Sequence, residues 1–145
     1  MGAPRDVGAV RAQRQHRVCQ GAGQRQRAVA ELVDGPFLRE ELVDIIELFV
    51  RNNGIKSINL PTNGLLGARI ERDVARILDL CPELEVHLNL SLDGLGATHD
   101  AVRGVPGGFD RTLATLDRLA TRFAGHPRLH RSVATVITPD AYDEL

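Results

Sequence analysis

Val86-His87-Leu88-Asn89-Leu90-Ser91-Leu92, running on into Asp93-Gly94, is the stretch that decides how this chain folds. Successive side chains of a strand point to opposite faces, so Val86, Leu88, Leu90 and Leu92 share one side. His87, Asn89, Ser91 and Asp93 share the other. A strand of a doubly wound sheet is covered on both faces and reads as a near-continuous apolar run. This one does not. One apolar and one polar face fit a parallel sheet with helices on a single side, as in a barrel whose polar interior holds a ligand. A solvated sheet face is the plainer alternative, and from this stretch alone both stay open.

The flanking sequence repeats the same unit. Leu38, Leu42, Ile45, Ile46, Phe49 and Val50 recur at helical spacing, and Asn53-Gly54 supplies a left-handed stop. Residues 55–60 form a short β-type run in which Ile58 and Leu60 oppose Ser57 and Asn59, ending at Pro61-Thr62-Asn63-Gly64. Leu66, Ile70, Val74, Ile77 and Leu78 mark a second amphipathic helix, closed by Cys81-Pro82. After the 86–92 strand, Leu113, Leu116, Leu119, Ala120 and Phe123 line a third helix between Gly107-Gly108 and Gly125-His126-Pro127. Residues 129–138 read as a third strand, and Pro139-Asp140 opens a further helix. Alternating helices and strands of this kind predict the α/β class, a parallel sheet and right-handed crossovers.

Composition bounds what the chain does. At 145 residues it is one domain at most, and a formal charge of −1 sets up no field for nucleic acid or an anionic membrane. No run is apolar and long enough to span a bilayer, and the first residues lack the apolar core of a signal peptide. A cytoplasmic location is the default expectation. Cys19 and Cys81 are the two cysteines, and their spacing forms neither a disulfide framework nor a metal knuckle.

The small net charge hides an asymmetry. Residues 1–30 hold Arg5, Arg11, Arg14, Arg17, Arg25 and Arg27 against one acid, Asp6, and contain no Leu, Ile or Phe. Such a segment buries too little apolar surface to offset its ordering entropy, so residues 1–33 are expected to be disordered and the folded domain to span 34–145. Three explanations compete. A basic arm for RNA lacks aromatics for base stacking. A transit peptide would carry serine and amphipathic order. A misassigned start or out-of-frame reading of GC-rich DNA accounts for the Arg-Gly-Ala-Gln mixture and for the use of a single lysine, Lys56, in the whole chain. Translation of the upstream DNA in all frames separates them.

In barrels of parallel strands the chemistry sits at the C-terminal strand ends, where Asn63, Ser91 and Asp93 fall. Asn-Gly and Asp-Gly pairs are most often only turns. Together the three favour a polar pocket without naming a reaction.

Several segments, in order, resemble the middle of a radical S-adenosylmethionine (radical SAM) enzyme, nearest the subgroup with SPASM-type extensions. Pro36-Phe37-Leu38-Arg39 is similar to the tail of that family's Gly-Gly-Glu-Pro segment, and Thr62-Asn63-Gly64 to the turn after its third strand. Ser91-Leu92-Asp93-Gly94, Thr98-His99-Asp100, Arg103-Gly104 and Gly107-Gly108-Phe109 look like the segment after the fourth, and residues 129–145 like the fifth strand and its turn. The resemblance implies a partial (β/α) barrel, roughly its third to fifth strands. It implies S-adenosylmethionine as cosubstrate, with Asn63, Ser91 and Asp93 as its contacts, and a [4Fe-4S] cluster that generates a 5′-deoxyadenosyl radical. Arg103 would either meet a carboxylate or be a charge on a helix surface, His99 would pack in a loop rather than bind a ligand, and His87 would be either a hydrogen-bonded residue of the lumen or a functional one.

The departures are as informative. The family's cluster is held by a Cys-x3-Cys-x2-Cys loop, and thiolates are the ordinary ligands of such clusters. This sequence has no such loop, and Asp34-Gly35-Pro36 lacks the family's glutamate. The chain also stops short of the sixth strand, leaving parallel edges open to pairing. The expectation is a catalytically inactive piece of a radical SAM enzyme. The alternatives are an adenosyl-binding module, or a half-barrel completed by a separate cluster-bearing chain. The substrate is not legible.

Overall fold

The fold is given by a computed structural model, described over residues 29–31, 35–136 and 142. Four parallel strands form one sheet: β1 (Val29–Glu31), β2 (Ser57–Thr62), β3 (Glu85–Ser91) and β4 (Leu129–Ala134). Their order across the sheet follows their order in the chain, β1-β2-β3-β4. The helices between them are α1 (Leu42–Asn53), α2 (Gly67–Leu80), α3 (Gly96–Arg103) and α4 (Gly108–Arg122), with a short 3-10 turn at Pro36–Leu38. The class is α/β, as the sequence predicts.

Strand order carries a consequence for the faces. Doubly wound sheets reverse direction at a switch point. The described strands do not reverse. Right-handed crossovers that always advance the same way deliver every helix to the same face. Burial agrees. Ile58, Leu60, Val86, Leu88 and Leu90 join Ile46, Ile70, Val74, Ile77 and Leu119 in one apolar cluster. Their neighbours in sequence, Asn59, His87, Asn89 and Ser91, are only half-buried.

Helix ends follow their chemistry. Gly54 closes α1 at φ 61°, the left-handed conformation that Asn53-Gly54 implies. The C-terminus of α2 is closed from a distance. The Arg128 guanidinium donates to the carbonyls of Leu78 (2.8 Å), Cys81 (2.9 Å) and Leu84 (3.3 Å). Carbonyls at a helix end have no partner within the helix, and a cation there also favours the dipole. The same residue stands immediately before β4, so it ties that strand's start to α2.

The structure departs from the sequence reading in five places. Residues 29–31, inside the segment expected to be disordered, pair with β2 in the register Val29↔Ser57 to Glu31↔Asn59; residues 1–28 and 32–34 lie outside the described residues. Leu38 is not part of the α1 stripe, because Pro36 starts a 3-10 turn that leaves Leu38 70% exposed. Residues 96–103 form α3, a helix the periodicity did not announce because Gly96 and Gly104 bracket only two turns with one buried side chain, His99. The inner face of α4 is Thr112, Thr115 and Leu119, with Leu113 and Ala120 turned outward. The strand expected over 129–138 ends at Ala134, and the helix expected after Pro139 lies outside the described residues. No described helix is long and apolar enough to cross a membrane.

Candidate functional site

Parallel register brings the strand ends together. Thr62 pairs with Leu90 and Ser91 with Ala134, so the residues that follow β2, β3 and β4 lie along one edge. Asn63, Ser91 and Asp93 are all on that edge, and each has a different setting.

Asn63 is exposed and opens the β2–α2 turn, its side-chain oxygen accepting the Leu65 N–H at 3.1 Å. Helix α4 holds this turn. Thr112 donates to the Asn63 carbonyl at 2.8 Å, and Thr115 donates to the Gly64 carbonyl at 2.6 Å. The approach is close enough that a Cβ on Gly64 would lie 2.8 Å from the Thr112 methyl. Gly64 also sits at φ 75°, where other residues are strained. Two hydroxyls one helical turn apart therefore fix the position of Asn63. The Thr-x-x-Thr pair on a helix is the sequence signal for this clamp, and it is masked by the apolar stripe of Leu113 and Leu116 beside it.

Asp93 is 3% exposed and fully engaged. One carboxylate oxygen pairs with the Arg103 guanidinium at 2.6 Å, and the other accepts the Val136 N–H at 2.8 Å. Its own N–H donates to Nδ1 of His99 at 3.0 Å. Arg103 thus meets a carboxylate, that of Asp93. His99 is buried and packs edge-on against Phe109, from a position on helix α3 rather than in the loop the sequence reading expected. Thr135 adds a hydrogen bond to the Leu92 carbonyl at 2.9 Å. The ends of β3 and β4 are therefore stitched together by Asp93 and Thr135. Ser91, half-buried, belongs to the polar side of β3, the side chain among the three left facing the open sheet.

Asp100 organises the loop beyond. Its carboxylate accepts the Phe109 N–H at 2.8 Å and the Gly107 N–H at 2.5 Å, closing the α3–α4 connection. The Phe109 N–H above all holds this carboxyl below the usual carboxylate range, burial opposing it and the Gly107 N–H adding to it.

The polar sheet face carries its own network. Ser132 donates to Asn89, and Asn89 donates to Asn59, linking β4, β3 and β2. One row nearer the strand starts, His87 is the register partner of His130, and their rings stack with centroids 4.6 Å apart. Glu85 lies two residues before His87, on the same face. His130 joins Glu85 and His87 only through sheet register, so cysteine and histidine spacing along the chain gave no sign of the set.

The described cysteine does not fit an iron–sulfur cluster. Cys81 is buried beside the helix-side core, and its thiol is pushed up first by burial, then by Glu47, with Arg128 opposing. Cluster ligation needs accessible thiolate, which burial disfavours. Cys19 lies outside the described residues. No family model and no curated protein matches this chain.

Proposed function

We propose that this chain is a sector of a (β/α) barrel of the radical SAM type, its polar strand ends forming one wall of an adenosyl site. The observation that carries the reading is the single-direction strand order, with apolar side chains beneath the helices and polar ones on the opposite face. A barrel sector needs both features, and its ligands bind at the C-terminal strand ends. The resemblance of the segments around Asn63, Ser91 and Asp93 supplies the ligand class, S-adenosylmethionine.

Roles divide by geometry. Ser91 is the direct hydrogen-bonding group for a ribose hydroxyl, with Asn63 beside it. Asp93 holds the wall in shape through Arg103, since a ligand would have to displace that guanidinium to reach it. The cluster ligands come from outside this sequence, on a longer polypeptide or a second chain. A half-barrel that pairs with such a chain is favoured by β4, where Val133 continues the apolar row of Leu90 yet is 48% exposed.

Calorimetry with S-adenosylhomocysteine tests the wall. Binding is expected, and Ser91→Ala should weaken it about 5-fold, the worth of one hydrogen bond of about 1 kcal/mol. Absence of any heat would remove the adenosyl reading. Anaerobic reconstitution with iron and sulfide is expected to give no stable cluster, and a stoichiometric one would overturn the assignment of the ligands to another polypeptide.

A further inference from the structure

We propose that Glu85, His87 and His130 form a binding site for a divalent metal of the zinc class on the polar sheet face, stapling edge strand β4 to β3. One donor atom from each of the three lies within 4.8 Å of the other two. His87 and His130 are direct register partners on adjacent parallel strands. Glu85 reaches the same face from two residues earlier on β3. No backbone rearrangement is needed to bring the set together.

The donor types select the ion. Two imidazoles and one carboxylate suit zinc, which takes such sets with a fourth position open. Calcium and magnesium require mostly oxygen ligands, and this set offers one carboxylate. In a tetrahedral zinc site with bonds of about 2.0–2.1 Å, donor atoms stand about 3.3 Å apart. The observed set therefore has to tighten by about 1.5 Å at its widest pair, and the stacked imidazoles have to turn so that their in-plane lone pairs converge, both by side-chain rotation. His87 is half-buried and His130 exposed, so the ion has access from solvent.

The site is separate from the adenosyl wall. His87 precedes Ser91 by four residues, about 13 Å along a strand. Its function is structural. Beyond Leu129, β4 buries none of its side chains, and a metal bridging His130 to β3 supplies the anchor that packing does not. Because the ion binds only the paired strands, it raises the stability of the folded state by mass action.

The test uses the untagged 145-residue chain carrying His16→Ala and Cys19→Ala, which removes the closely spaced histidine and cysteine near the start of the sequence. Cobalt(II) is titrated as a spectroscopic probe and zinc by calorimetry, with melting temperature followed in parallel. One equivalent is expected, with the visible absorption of four-coordinate cobalt and a zinc-dependent rise in melting temperature. His87→Gln and His130→Gln should each weaken binding by more than about 10-fold and remove the thermal shift, with Glu85→Gln acting in the same direction. Circular dichroism of each variant confirms that it folds, and His130→Gln, at an exposed position, is the safest. No binding by the parent chain, or binding of unchanged strength in both histidine variants, overturns the proposal. Neither result depends on the adenosyl measurement.

Discussion

The two faces of β3 belong to the same seven residues and obey different physics. On one face Val86, Leu88 and Leu90 are each 0% exposed, sealed under α2 and α4 with Val74, Ile77 and Leu119. On the other His87, Asn89 and Ser91 are half-buried, His87 held by a ring stack and Asn89 by hydrogen bonds to its neighbours across the sheet. Apolar burial is non-directional and sums over area, so the first face supplies stability whatever its fine geometry. The second face contributes little to folding because its groups exchange water for one another at small net gain. It is the face to which the proposed ligand sites are assigned.

Truncation on the two faces breaks or upholds this contrast most directly. Leu88→Ala should cost about 2–5 kcal/mol, the sum of lost transfer energy and a residual cavity. His87→Ala, one residue earlier, should cost less than about 1 kcal/mol in the absence of added metal. Urea denaturation of both variants gives the comparison in one experiment. If His87→Ala proved as damaging as Leu88→Ala, the polar face would be part of the core and unavailable for binding.

The strand ends sharpen the contrast, because there the polar side does bear load. Arg103→Ala strips the guanidinium from the buried Asp93 carboxylate, which keeps its hydrogen bond from the Val136 N–H. The expected loss is about 1–3 kcal/mol, the cost of an unsatisfied buried polar group. It falls short of a fully buried ion pair because the Arg103 side chain is 34% exposed. Restoration of stability by adding Asp93→Asn to that variant would show the penalty to be the orphaned charge. A neutral Arg103→Ala would instead return Asp93 to the list of groups free to meet a ligand.

Legibility in the sequence follows the same division. Alternation in 86–92 gave β3 and both of its faces, since period-two burial is a local property. The cores of α1 and α2 and the left-handed stop at Gly54 were local as well. What escaped was set by register and by distant partners. His87 and His130 stand 43 residues apart in the chain and meet only because β3 and β4 pair in one particular register. Thr112 and Thr115 look like surface residues until the carbonyls of Asn63 and Gly64 are placed above them. Arg128 reads as a loop charge until the end of α2 is beside it. Polar burial depends on a partner, and partners across crossovers are not visible in a linear pattern.

Asp100 offers the smallest and most discriminating measurement on the polar side. Its carboxyl lies below the usual range chiefly because the Phe109 N–H, and then the Gly107 N–H, stabilise the ionised form in the folded chain. A depressed folded value means the stabilisation is present above the unfolded carboxylate pKa of about 3.9. It is lost as pH falls through the lower, folded value. Asp100→Asn should therefore be less stable than the parent at neutral pH, and the difference should shrink steadily under acid conditions as the parent's carboxylate protonates. Amide exchange at Phe109 and Gly107 should quicken in the variant while exchange within β3 stays unchanged, which confines the effect to the α3–α4 loop. A difference that stayed constant with pH would assign the loss to shape rather than charge, and the strand-end loops would then be held by packing, like the opposite face of the sheet.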